Sequence, residues 1–306
     1  MEWFQPGQQD GIYQHNNTEP PAQDRGLFSL LSLKGRTAIV TGAAKGIGYA
    51  VVEAFAEAGA NVALWYNSNE EAIEKASRIS EVYGVICKAY KVDVTDEAAL
   101  KTTLDQSVKD LNGRLDIFVA NVGIPWLHGR TIDSPSEQFH NILNVNFVSA
   151  YYSAKAAGKY FERQKNEGTD VNGAKLENYT TGSFIVTSST AGKRQLVPQA
   201  YTAYNATKAA LTHFAKGLAI EYIQFARVNI VSPGYIATEA LGAAPAPMRV
   251  AWKGRTPMGR EGSVTEIKAA YVYLASDASS FATGTEIVLD GGWSFEWMPG
   301  VLSKLF

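Results

Sequence analysis

The chain has a single cysteine, Cys87, in 306 residues. An internal disulfide is therefore impossible, and such sparse cysteine use fits a reducing compartment, the cytoplasm. Histidine is scarce as well: four residues, His15, His128, His140 and His213, are scattered without a spacing that could hold zinc. No bound metal is expected. No apolar run approaches the ~20 residues that a membrane-spanning helix needs. The first residues carry Glu2 and Asp10 and no apolar block, so no secretory signal is expected there. On that reading Asn16-Asn-Thr and Asn178-Tyr-Thr are chance matches to the glycosylation pattern. Neither sign of charge dominates: 28 Lys and Arg stand against 30 Asp and Glu, a net charge of -2. Nothing global draws such a chain to nucleic acid or to an anionic membrane.

What is present is apolar residue in quantity, 46% of the chain, arranged in alternating short runs. Buried-type strands are expected at 37–41, 61–66, 87–92, 115–120, 183–187, 226–231 and 286–290. Helical patterns separate them, at 49–59, 70–83, 98–111, 139–160 and 263–276. Asp133-Ser-Pro-Ser supplies cap and proline signals for the fourth of these. Alternation of this kind points to an α/β fold, one doubly wound parallel sheet of Rossmann type in a single domain spanning 34–306. Residues 1–33 read as a flexible polar arm, docked through Leu27, Phe28 and Leu30 near its end. Residues 163–182 read as a polar surface insertion. Residues 239–259, rich in Ala, Pro and Met, fit either a substrate lid or a plain loop. The aromatic tail from Trp293 to Phe306 suggests an intersubunit contact, hence a homo-oligomer, dimer or tetramer.

The first strand runs directly into Gly42-Ala-Ala-Lys45-Gly46-Ile47-Gly48 and then a helix. Strand, glycine turn and helix in that order make half of a dinucleotide site. Gly42 permits the turn, Gly46 lets backbone approach the pyrophosphate, and Gly48 lets helix pack on strand; the helix start offers free N–H groups and partial positive charge. After the second strand an NAD site would place a carboxylate to hold the ribose 2′-hydroxyl. Here Asn67 and Ser68 stand instead, and Lys45 adds a cation, so a 2′-phosphate is favoured and the expected cofactor is NADPH/NADP+. Asp93-Val94 closes the third strand on the adenine side; Asp93 suits either the adenine amino group or a helix cap before Glu97. Asn121-Val-Gly123 closes the fourth, at the end of the sheet where ligands bind.

The stretch Gln199 to Thr212 has good helix formers and few breakers. Tyr204 and Lys208, four apart, share a helical face. An ammonium beside a phenol favours phenolate, so Lys208 is expected to lower the Tyr204 pKa from ~10 and ready it for proton exchange.

Thr41-Gly-Ala-Ala-Lys-Gly-Ile-Gly48, Asp93, Asn121-Val-Gly123, Asn146, Ser189, Tyr204/Lys208, Pro233-Gly234 and Asp290-Gly-Gly, in that order, resemble the short-chain dehydrogenase/reductase family across residues 34–293. Trp65-Tyr-Asn-Ser68, Thr256-Pro-Met-Gly-Arg-Glu-Gly262 and Tyr273-Leu-Ala-Ser-Asp-Ala-Ser resemble its fungal sorbose reductase, L-xylulose reductase and NADP-mannitol dehydrogenase branch. The resemblance implies a ketone reductase working by hydride transfer. Ser189 would bond the substrate carbonyl, with Ser188 as the rival; Ser189 is preferred because it stands three before Gly192, as the family pattern requires. Tyr204 would donate the proton, Lys208 would hold the nicotinamide ribose, Asn146 would position a water in the relay, and Ile236 and Thr238 would meet the nicotinamide amide. The implied substrate is a ketose, a polyol or a broader carbonyl compound. A pathway-specific ketoreductase of fungal secondary metabolism, or a repurposed NADPH-binding protein, shares the same frame.

Overall fold

The computed structural model describes residues 18–196, 199–242 and 244–295. In chain order its elements begin with α1 (Leu27–Leu31), β1 (Thr37–Val40), α2 (Gly46–Glu57), β2 (Asn61–Tyr66), α3 (Glu71–Tyr83) and β3 (Cys87–Lys91). Next come α4 (Glu97–Leu111), β4 (Ile117–Ala120), α5 (Ser136–Leu143), α6 (Ser149–Glu167), β5 (Gly182–Thr187) and α7 (Thr202–Glu221). The chain ends with β6 (Ala226–Pro233), β7 (Ile236–Ala237), α8 (Glu239–Gly242), α9 (Ala246–Arg255), β8 (Gly262–Ser263), α10 (Val264–Ala275) and β9 (Glu286–Leu289). The sheet order is β3-β2-β1-β4-β5-β6-β9, parallel throughout, with β7 and β8 pairing separately. The expected single doubly wound sheet is what forms.

Strand residues alternate between two cores, as a pleat of period two demands. Ala38, Val40, Val62, Leu64, Ile117 and Val119 meet α2, α3 and α10 on one face. Ile39, Trp65, Phe118, Phe184 and Val186 meet α4, α6 and α7 on the other. Phe118 and Phe184 stack at 5.6 Å, and Trp65 meets Phe118 edge-on at 5.7 Å. Each such ring, fully buried, contributes about 1.5–3 kcal/mol from burial alone. The indole N–H of Trp65 is not orphaned, because it donates to Ser107 Oγ at 2.9 Å.

Several segments differ from expectation. Leu27 and Phe28 are exposed, and of the three expected docking residues only Leu30 is half-buried. The segment is tied down instead by charge and by one buried side chain: Arg25 and Arg36 both pair with Asp277, and Leu33 is fully buried. Residues 163–167 complete α6 rather than opening a loop. The segment after them is held by Arg114, which donates to Glu177 O at 2.9 Å, and by Tyr179, which donates to Phe161 O at 3.2 Å. Within 239–259 lie two helices, α8 and α9. Arg249 of α9 makes a bidentate pair with Glu261, and Trp252 is buried. Trp293 is buried within the subunit, against Leu196 and Tyr235; residues 296–306 of the expected contact tail lie outside the described residues, as do 1–17 of the arm. Among the described residues no helix is long and apolar enough to cross a membrane.

Candidate active site

Strand order reverses between β1 and β4, and the C-terminal ends of these two strands flank the crevice where open α/β sheets bind ligands. Asn121 clamps them together: its Nδ2 donates to Thr41 O at 2.9 Å and its backbone N–H to Thr41 Oγ1 at 3.0 Å. Gly46 has φ +58°, a left-handed turn that opens α2. A Cβ on Gly48 would lie 2.5 Å from Gly42 O, so only glycine lets this helix start so close to the strand end. Lys45, the N-cap of α2, makes no side-chain cap bond. The helix therefore presents its first N–H groups and positive dipole end to the cleft, an arrangement that fits a pyrophosphate.

Lys45, Asn67 and Ser68 are all exposed at this end of the sheet. Glu71 also lies near Lys45, but its carboxylate bonds Lys75 at 2.9 Å, which chiefly holds it below the usual carboxylate range. Asp93 is exposed, and its Oδ1 accepts from Thr95 N at 2.9 Å and Thr95 Oγ1 at 2.7 Å. The cap of α4 is Asp96, not Asp93: Asp96 accepts from Ala98 N and Ala99 N. The buried Val94 supports the turn.

The wider part of the crevice, about 1970 Å³ and open to solvent, brings together Gly42, Lys45, Gly46, Ile47, Gly48, Asn121, Gly123, Ser189, Tyr204, Lys208, Pro233, Gly234, Ile236 and Thr238. Asn67, Ser68, Asp93 and Val94 lie outside these walls, beyond the ends of β2 and β3. At its base Lys208 is 3% exposed, and its Nζ donates to Thr187 O at 2.9 Å and sits 5.9 Å from the Tyr204 ring centroid. Burial lowers the Lys208 pKa to about 8. The Tyr204 phenol is shifted the opposite way from the sequence expectation. Burial raises it above its usual value and outweighs the pull of the Ser189 hydroxyl, with Tyr201 adding a smaller upward push. The lysine is near, as the spacing implies, but loss of water dominates.

The two adjacent serines separate cleanly. Ser188 Oγ donates to Lys208 O at 3.0 Å and shares a 2.7 Å bond with Thr212 Oγ1, so it fastens β5 to α7. Ser189 is half-buried on the cleft and caps the turn Thr190–Gly192, its Oγ accepting from Ala191 N at 3.1 Å. Gly192 lets this turn touch α7, since a Cβ there would lie 2.9 Å from the Lys208 backbone. Asn146 is fully buried in a π-helical turn, Asn144–Val148, between α5 and α6. Its Oδ1 accepts from Ile124 N at 2.8 Å, while Nδ2 reaches Ile124 O at 3.1 Å and Thr207 Oγ1 at 3.2 Å. Such π-turns concentrate at functional sites.

Sequence reasoning missed the opposite wall: Tyr201, Tyr235, Met248 and Trp252. Tyr235 and Trp252 stack at 4.6 Å. A tryptophan between Arg249 and Lys253 was the available signal. No group of His, Cys, Asp and Glu among the described residues could hold a metal.

Residues 42–294 match a family described as enoyl-(acyl carrier protein) reductase. The L-xylulose reductase of Hypocrea jecorina is 51% identical over 285 residues, 93% of this chain and 99% of that one. The chain belongs to the short-chain dehydrogenase/reductase family. A second relative in this family, the sorbose reductase of Candida albicans, is 43% identical over 279 residues, 90% of this chain and 93% of that one. The crystal structure of the NADPH-dependent 3-quinuclidinone reductase from Rhodotorula rubra is similar to this short-chain dehydrogenase/reductase at TM-score 0.82 and 35% identity, covering 90% of this chain and 98% of that one. The protein is thus an enzyme of the oxidoreductase class.

Proposed function

We propose that the enzyme uses NADPH to reduce a small ketone, a ketose or a broader carbonyl compound, to a secondary alcohol. The observation that carries this is the meeting of Tyr204, Ser189 and Lys208 at the base of a cleft whose other side is the glycine turn and bare start of α2. The cofactor is NADPH/NADP+, consistent with Lys45, Asn67 and Ser68 in place of a carboxylate after β2. When bound it supplies the hydride for the carbonyl carbon.

Gly42, Lys45, Gly46, Ile47 and Gly48 would hold the pyrophosphate, Lys45, Asn67 and Ser68 the 2′-phosphate, and Asp93 and Val94 the adenine end. Asn121, Gly123, Pro233, Gly234, Ile236 and Thr238 would frame the nicotinamide end together with Lys208. Ser189 and Tyr204 offer hydroxyls to one carbonyl oxygen, and Tyr204 gives it the proton as negative charge develops there. A phenol raised by burial is fully protonated at neutral pH, the form that a donor needs. Lys208 keeps positive charge beside the resulting phenolate. Asn146 acts by position: it holds Ile124, and its Oδ1 and the Lys208 ammonium both close on Gly123.

The same reading takes the enzyme as a cytoplasmic homo-oligomer, dimer or tetramer. The edge strand β9 and the exposed Tyr151 and Ile220 offer surfaces for a second copy. Incubation of the protein with NADPH and a panel of ketoses and cyclic and aryl ketones tests the function. One secondary alcohol per NADPH consumed, with NADPH clearly ahead of NADH in kcat/KM, is expected. Absence of alcohol product across the panel contradicts it.

A further inference from the structure

A carboxylate beside a 2′-phosphate repels it unless a cation intervenes. The residues proposed to hold that phosphate, Lys45, Asn67 and Ser68, are followed closely by two acids at the start of α3, Glu70 and Glu71. Glu71 is tied to the loop after β2. Its N–H donates to Asn69 Oδ1 at 3.1 Å, and its Oε2 accepts from Asn69 Nδ2 at 3.5 Å. Lys45 acts on the same carboxylate from the glycine turn.

Lys75, one turn along α3, does more than balance this acid. Its Nζ donates to Glu71 Oε2 at 2.9 Å and to Ala44 O at 2.9 Å, and it lies 5.4 Å from the centroid of the Tyr49 ring. Ala44 belongs to the glycine turn, next to Lys45, and Tyr49 to the first turn of α2. One cation therefore joins the start of α3 to the glycine turn and to the start of α2. An i,i+4 pair on an open helix surface needs no such contacts. The Lys75 side chain is accordingly 26% exposed, against 66% for Glu71. The neighbouring pair of Glu70 with Lys91 is looser, at 3.5 Å with both side chains largely exposed.

We propose that Lys75 is a selectivity residue for the cofactor: it fixes the glycine turn against α3 and cancels the charge of Glu71, so that the 2′-phosphate of NADPH meets a net positive surface. This deepens the proposed NADPH site and rests on it. Lys75 stands outside both the glycine turn and the loop after β2, the two segments from which the site was read. Its two contributions differ in kind. The bond to Ala44 O shapes the turn and serves any dinucleotide. The cancelled charge serves only one that carries a 2′-phosphate, so comparison of NADPH with NADH separates them.

Fluorescence titration of the protein with NADPH and with NADH at low salt is the test. In Lys75→Met the Kd for NADPH should rise about fivefold or more beyond any change in the Kd for NADH. Glu71→Gln, at an exposed position, should act in the opposite direction, tightening NADPH about twofold and leaving NADH unchanged. Combining the two substitutions should cost less NADPH affinity than Lys75→Met alone, because the freed carboxylate is gone. Salt at about 0.5 M should shrink all of these differences by screening. Equal weakening of NADPH and NADH in Lys75→Met would mean that the lysine only shapes the turn, and overturns this inference. An unchanged preference in either single variant overturns it as well. Both results leave the reductase reading intact. Wild-type protein that binds NADPH no more tightly than NADH overturns the proposed 2′-phosphate site together with this inference.

Discussion

The two sides of the cleft are built differently. The side proposed to hold the dinucleotide is mostly backbone: a left-handed Gly46, a Gly48 with no room for a Cβ, and the open start of α2, all within seven residues. The side proposed for the substrate is made of side chains drawn from Leu196 to Tyr204 and from Tyr235 to Trp252, meeting only in the folded chain. A phosphate is the same in every cofactor molecule and can be met by fixed N–H groups. A ketone differs from enzyme to enzyme and is met by exchangeable side chains. Substitutions on one side should therefore alter cofactor binding, and those on the other should alter the chemical step or the choice of ketone.

The largest effect short of removing the proposed donor, Tyr204, is expected at Lys208, where the two sides join. Lys208→Met should lower kcat by about 10³-fold. In the wild type, reduction should weaken as pH rises through about 8, where burial places the Lys208 pKa. The sign of the stability effect is opposite. The folded pKa lies below the ordinary 10.5, so the cost of burying the ammonium is present in full below about 8 and is relieved between about 8 and 10.5, where the unfolded chain holds more protons. A kcat/KM profile flat from pH 7 to 10 would contradict the assignment. Next comes the serine pair. Ser189→Ala should cost about 10²-fold in kcat with little change in melting temperature. Ser188→Ala should do the reverse, losing about 1–2 kcal/mol from its two buried bonds with kcat nearly kept; denaturant melts and kinetics on both variants read this directly. Gly48→Ala should raise the KM for NADPH about tenfold and cost about 1–3 kcal/mol, since the new methyl must displace backbone. A change confined to the ketone KM would break the division between the sides. The smallest effect on stability belongs to Arg249→Ala, because the guanidinium is a third exposed and its ion pair is screened by water. It should shift the ketone KM modestly and leave that for NADPH unchanged.

The same division explains what could be read beforehand. The strands are short β-branched runs bounded by turns, and the expected ranges differ from the observed ones by a residue or two at most ends. The glycine turn is local in sequence, so its order could be read directly. The helices α8 and α9 could not: Ala, Pro and Met in 239–259 give no helical period, and α9 is fixed by the distant Glu261 and by burial of Trp252. Leu27 and Phe28 misled because apolar character alone does not say which residue docks; Arg25 and Arg36 meet Asp277, over two hundred residues away, and leave no local trace. The Tyr204 shift was misjudged for a related reason. Spacing of four gives proximity to Lys208, whereas desolvation depends on everything folded over the site.

The most direct test is Tyr204→Phe, which removes one oxygen. NADPH titrated into the variant should still bind, by fluorescence, within about threefold of wild-type affinity, while ketone-dependent NADPH oxidation falls by at least about 10³-fold. Turnover within about tenfold of wild type, with binding intact, would show that this phenol is not the proton donor.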